Sequence, residues 1–291
     1  MHNFLKPTVA AADALKEVKK YLHSPKKEFF VSHAAQLETL YDAYDTIASK
    51  DELHTLAPYW SIKSTDDDGA KQSKKNNRHL AYELYGSERP FVNAHWEAVS
   101  KENGNETLYC PICGLTECEE MDHFVPREEN LYPEYSAHLS NLIPLCHSCN
   151  HKKSIKFLDK SGKRIYFNAF YDTLTRRDIL ECSIISSPID GTPQITTMVN
   201  PSLNPTQKPD VYILSTIADL ELLKRFQSRA KLLFKKEISR LATRAGQDWG
   251  QIKAEFTSIS LPVFGEPDVV YPAVMKAISK STVMETWFKS L

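Results

Sequence analysis

Leu37, Leu40, Tyr41, Tyr44, Ile47 and Ala48 recur at steps of three and four, one face of a helix, and residues 8–57 as a whole read as helical, with Thr8 or Ser32 able to cap. Such a stripe packs a core. The period disappears in SIKSTDDDGAKQSKKNNR (61–78), which is almost wholly polar and predicts an exposed loop, its aspartates 66–68 solvated rather than holding a cation. Helical signals return over 79–100, with Pro90 placed to start a helix. Further on, ILECSIISS (179–187) and PQITTMV (193–199) flank SPIDGT and predict a strand–turn–strand unit, followed by a proline-rich linker, NPSLNPTQKP (200–209). Residues 211–245 carry the strongest helical signal, with Ile213, Ile217, Leu220, Leu223, Phe226, Ala230, Leu233, Leu241 and Ala245 broadly on one stripe. The tail to Leu291 reads as partly helical, broken near LPVFGEP, and no internal repeat is present.

Composition narrows the class. The 291 residues are 42% hydrophobic and 25% charged, which excludes a largely disordered chain, and nine Gly with 16 Pro exclude a collagen-like repeat. No window approaches 18 uninterrupted apolar residues, so no membrane span is expected. The opening MHNFLKPTVAAADALKEVKKYLHS lacks the order of a secretory signal, and the cytoplasm is the expected compartment. A net charge of −1 argues against broad, non-specific coating of DNA. Six cysteines are too few for a disulfide scaffold in a chain this long, so their spacing matters more than their number.

That spacing is informative. Cys110-Pro-Ile-Cys113 and Cys146-His-Ser-Cys149 are two CxxC knuckles, and two knuckles supply the four thiolates of a structural zinc site. The 32 residues between them exceed the gap of a simple zinc ribbon, so something is inserted. Asp122-His123 opens DHFVP, whose Phe124 and Val125 favour a short strand ended by Pro126; Asn141 begins a second apolar run, NLIPLC; Asn150 directly follows the last cysteine and opens a basic, helical-looking segment. The order is knuckle, strand, loop, strand, knuckle, helix.

CxxC, then DHxxP, then an NL…LCxxCNxxK run resembles the zinc-stapled HNH nucleases, whose core is a ββα-metal fold. The resemblance implies an α+β chain in which a ββα-metal domain with a four-Cys zinc site lies between mainly helical regions: 1–105 helical, 106–172 nuclease, 173–209 strand–turn–strand and linker, 210–291 helical. It implies metal-dependent hydrolysis of phosphodiester bonds, with His123 taking a proton from water, Asp122 and Asn150 holding Mg²⁺ or Mn²⁺, and Asn141 tying the loop so that His123 faces the water. The third position holds Asn150 rather than His, as in many zinc-stapled members, and an amide oxygen suits a hard cation. His147 and His151 read as exposed, Cys118 and Cys182 as ordinary thiols. The alternative is a zinc module that keeps the shape, binds nucleic acid or a protein, and does not cut; Asp122, His123 and Asn150 together argue against it.

Six basic residues between Lys152 and Arg164, against Asp159 alone, follow the metal-side Asn150, and Lys152, Lys153 and Lys156 are the expected phosphate contacts. A second run, eight Lys and Arg against Glu237 alone over 224–244, is a solvated face or a backbone-binding one. No Rossmann or Walker glycine loop occurs. DHFVPRE, YPEYSAHLSNLIPLCHSCNHKKS and GKRIYFNAFYD are further similar to the HNH subunits of bacterial anti-phage systems such as Septu and related retron modules, which pair with an ATPase. That resemblance implies an ATPase as partner; the expected substrate is nucleic acid, DNA more than RNA.

Overall fold

The computed structural model describes residues 1–8, 11–86, 90–104, 107–174, 178–260 and 268–291. Among them helices predominate, and strands occur only as two separate antiparallel pairs. By their contacts the residues fall into two units, one of residues 3–112 and 116–173, the other of residues 1–2, 113–115 and 174–291. No helix of the described residues is long and apolar enough to cross a membrane.

In the first unit, α1 (Ala11–Lys20) and α2 (Lys26–Ser49) divide the stretch expected to be one helical region, with Pro25 directly before α2, where a missing N–H costs nothing. Ser32 does not cap; it lies inside α2, where its hydroxyl donates back to the Phe29 carbonyl at 2.8 Å. Thr8 borders residues outside the described set. The α2 stripe is buried at Leu37, Tyr41, Tyr44 and Ala48, with Leu40 and Ile47 half-buried at its margins.

The expected loop over 61–78 is in large part a helix, α3 (Asp68–Tyr82). Its start is made by the three aspartates themselves. Asp67 caps it, accepting from Ala70 N at 2.7 Å; Asp68 lies in the first turn; and Asp66 is held by Lys74 Nζ and Lys63 N, each at 2.7 Å. Lys, Gln, Ala and Arg then continue it as good helix formers. Apolar periodicity missed it because only Ala81 of this helix is buried. Next comes α4 (Pro90–Glu102), which does begin at Pro90. The unit closes with β1 (Glu120–His123), β2 (Leu142–Leu145) and α5 (His147–Lys153), the strands paired with His123 opposite Leu142 and Glu120 opposite Leu145.

In the second unit, β3 (Leu180–Ser186) and β4 (Pro193–Val199) form the expected hairpin. The stretch 211–245 is two helices rather than one, α6 (Asp210–Asp219) and α7 (Leu222–Ala242), broken at Glu221 in left-handed geometry (φ 52°). The reason lies in the buried residues. Ile213, Ile217 and Leu220 make one stripe, while Leu222, Phe226, Ala230, Leu233 and Leu241 make another. Leu220 and Leu222 are two apart, about 200° round a helix, so one straight helix could not bury both. Three more helices follow, α8 (Trp249–Ile259), α9 (Val270–Lys280) and α10 (Thr282–Lys289). The break expected near LPVFGEP falls outside the described residues. The hairpin packs β4 on α7 and β3 on α9, and α8 packs on α9.

Candidate active site

The first knuckle is a tight reversal: Tyr109 bridges Glu117, Cys110 N donates to Thr116 O at 2.9 Å, Gly114 sits at φ 65°, and Leu115 N points at Cys113 Sγ at 3.5 Å. The second is the start of α5, where Cys146 O accepts from both Cys149 N and Asn150 N at 3.0 Å. All four cysteines are buried, and their sulfurs lie within 4.8 Å of one another. Thiolates about 2.3 Å from one tetrahedral ion stand about 3.8 Å apart, so the cluster matches a four-thiolate metal site. Cys118 and Cys182 lie outside it as buried thiols, and burial pushes Cys182 up to about 11.

His123 ends β1 and is buried, 7% exposed. Its Nε2 lies 2.8 Å from the Ser136 carbonyl, which can only accept, so Nε2 carries the hydrogen. The lone pair is then on Nδ1, which makes no hydrogen bond among the described residues. The Tyr85 ring stands edge-on to the imidazole at 4.5 Å. Burial lowers the His123 pKa to about 3, so the ring is neutral at physiological pH.

Asn141 is fully buried and saturated. Its Oδ1 accepts from Val125 N at 2.8 Å and from the Tyr44 hydroxyl at 2.9 Å, and its Nδ2 donates to Val125 O at 2.9 Å and Tyr135 O at 3.3 Å. Its carbonyl accepts from Phe124 N at 2.8 Å. The two residues after His123 are therefore tied to Asn141 by main chain and side chain alike.

Alternation along β1 turns Asp122, like Glu120, toward α5. There its Oδ2 meets Lys153 Nζ at 2.8 Å, and the same ammonium donates to the His123 carbonyl at 2.8 Å. Burial pushes the Asp122 carboxyl up and Lys153 pulls it down. Asn150, half-buried on α5, directs its Nδ2 at the Glu120 carboxylate. Thus Glu120 and Asp122 on the strand face Asn150 and Lys153 on the helix. A carboxylate and an amide are the hard oxygen donors that Mg²⁺ and Mn²⁺ take, and two of them leave most of an octahedral shell to water and phosphate.

Among the expected phosphate contacts, Lys156 is exposed, Lys152 half-buried and Lys153 buried in its ion pair. Arg164, further along that run, is also buried, within 2.7 Å of Asp51 and 2.6 Å of Asp172. His147 and His151 are both exposed, as expected, their rings stacked 6.0 Å apart, and His147 engages Glu120. Sequence reading passed over Glu120, although the two-residue period of a strand puts it beside Asp122. It had no signal for the part played by Tyr44, which comes from α2, or by Tyr85, which follows the end of α3.

Two short strands and a helix, stapled by four thiolates, define a ββα-metal domain. Residues 110–156 match the family model for HNH endonucleases, so the chain contains an HNH endonuclease domain and is a nucleic-acid hydrolase. No curated protein and no solved structure gives a match.

Proposed function

We propose that the chain is a divalent-metal-dependent endonuclease that cuts DNA, with zinc on Cys110, Cys113, Cys146 and Cys149 as a structural staple. The observation that supports it best is the His123 arrangement. Donation from Nε2 to Ser136 O selects the tautomer whose lone pair is on Nδ1, which is the atom a general base for water would use. Asp122 and Asn150 would hold Mg²⁺ or Mn²⁺, which neutralises charge at phosphorus and on the departing oxygen. Asn141 holds the loop after His123, and Lys152 and Lys156 lie on the helix side for phosphate contact. Plasmid incubated with the protein and Mg²⁺ or Mn²⁺ should be nicked and linearised, and His123→Ala should abolish this with zinc content and folding unchanged. Undiminished cleavage by that variant overturns the mechanism.

The sequence resemblance further supports a role as nuclease subunit of a cytoplasmic anti-phage complex whose ATPase partner controls access to the site. Of the eight basic residues at 224–244, Lys224, Arg229, Arg240 and Arg244 are each ion-paired, with Glu221, Asp268, Glu237 and Glu255. Lys231, Lys235 and Lys236 are exposed on α7 without an ion pair among the described residues and share their face with exposed Leu232. Reversing these three lysines to Glu separates two roles: lost DNA affinity marks a backbone contact, lost partner binding marks a docking face. An isolated chain that cuts DNA at full rate at physiological salt and co-purifies with nothing from its host contradicts the partner.

A further inference from the structure

Glu120 stands two residues before Asp122, so both side chains leave β1 on one face. On α5, His147, Asn150 and Lys153 recur at three-residue steps and share a face in the same way. The two rows meet in order. Glu120 Oε1 takes His147 Nδ1 at 2.7 Å, Glu120 Oε2 takes Asn150 Nδ2, and Asp122 Oδ2 takes Lys153 Nζ at 2.8 Å.

The consequence concerns the two ends of an amide. An ionised carboxylate can only accept, so the end of Asn150 that meets Glu120 must be its NH₂, and the carbonyl oxygen is turned to the other side. Turned over, the same side chain would offer a cation two N–H dipoles instead of an oxygen lone pair, and binding would be lost. We infer that Glu120 is a positioning residue that sets the amide orientation of Asn150 and so presents Oδ1 to the divalent ion, with His147 anchoring the carboxylate from its other oxygen. This rests on the reading that Asp122 and Asn150 hold that ion. It also explains why an asparagine serves here: its orientation, which is ambiguous for an amide on its own, is dictated by a neighbour of fixed sense.

The test is Mn²⁺ binding to the full chain, followed by calorimetry or by the spin-resonance signal of free Mn²⁺, with no substrate present. Removing an outer partner of a metal ligand typically costs 10–100-fold in affinity, and Glu120→Ala should cost about tenfold or more. In an Asn150→Asp background the ligand has two equivalent oxygens and needs no orienting. There, Glu120→Ala should leave Mn²⁺ affinity unchanged or tighten it, because a repulsive carboxylate is gone. No loss in the Asn150 background overturns the inference, and so does an equal loss in both, which would make Glu120 itself a ligand. Glu120→Gln, nearly isosteric, keeps an oxygen for Nδ2 and should lose less than the alanine variant; it carries the same comparison if that variant does not fold. Asp122→Asn separates the levels. If it binds Mn²⁺ as the wild type does, the metal reading itself has failed and the role of Glu120 falls with it.

Discussion

The Tyr44 hydroxyl donates to Asn141 Oδ1 at 2.9 Å across 97 positions of sequence, with both residues fully buried. A side chain of α2 thereby completes the bonding of the asparagine that ties down the loop after His123. Nor is it alone: Ser136 Oγ donates to Ala81 O, Arg127 Nη1 to Tyr82 O at 2.9 Å, and His95 Nε2 lies 3.0 Å from Leu142 O. The upstream helices are part of the wall of the site. Tyr44→Phe should destabilise the protein by about 1 kcal/mol, the worth of one buried hydrogen bond whose acceptor keeps another donor. Denaturant unfolding measures this, and turnover should fall while Mn²⁺ affinity holds. Unchanged stability and turnover would show that the bond is idle.

Lys153 gives a sharper case. Its side chain is 5% exposed and that of Asp122 is 12% exposed, so Lys153→Met strands a nearly buried carboxylate. Breaking such a pair costs about 3–5 kcal/mol. Stability in divalent-free buffer should drop on that scale, and added Mn²⁺ should recover more in the variant than it adds to the wild type, because the ion takes over the charge of Asp122. Affinity for DNA without divalent metal should be unaffected by Lys153→Met and weakened by Lys152→Ala with Lys156→Ala. A variant that loses DNA affinity but no stability would place Lys153 on the phosphate instead.

The zinc staple is expected to be essential to folding. The strands β1 and β2 have four residues each and α5 has seven. A helix that short is far below the roughly 12–15 residues needed for marginal stability alone. Metal analysis should give one zinc per chain, and Cys113→Ser or Cys146→Ser should yield unfolded or insoluble protein. A folded, metal-free sample would remove the structural role.

Glu134 supplies a pH dependence. It is fully buried beside Tyr132 and Tyr135, one oxygen accepting from Tyr59 N at 2.8 Å, and burial pushes its carboxyl up to about 7 against the pull of Tyr59 N and Arg78. The folded state then holds a proton that the unfolded state has released, so this residue makes stability fall as pH rises from the unfolded carboxyl range to about 7, after which its effect is constant. Glu134→Gln should lack that fall. The melting temperature of the variant, relative to wild type, should rise between pH 5 and pH 8; a difference that does not change with pH contradicts the assignment.

Much of this was legible without coordinates wherever the chemistry is local. A CxxC knuckle needs its two thiolates within one turn, so spacing announced the metal cluster, and the resemblance carried by DHxxP and the LCxxCN run announced the HNH core. Pro90 and the β3–β4 hairpin were equally plain, each being written in adjacent residues. Periodicity failed where burial is not one-sided. The helix α3 buries only Ala81 and is set by the Asp67 cap. Similarly, α6 and α7 present stripes that meet out of phase at Glu221, and only the core around them determines that the chain must break there. The partners of the site residues were the least visible. Tyr44, Tyr85 and Lys153 reach Asn141, His123 and Asp122 through space, and nothing in the spacing of a sequence records which side chains a fold will bring within 3–5 Å of one another. The sequence by itself determined which groups could do the chemistry; the tertiary structure decided how each is held, because orientation comes from contacts between segments that are distant along the chain.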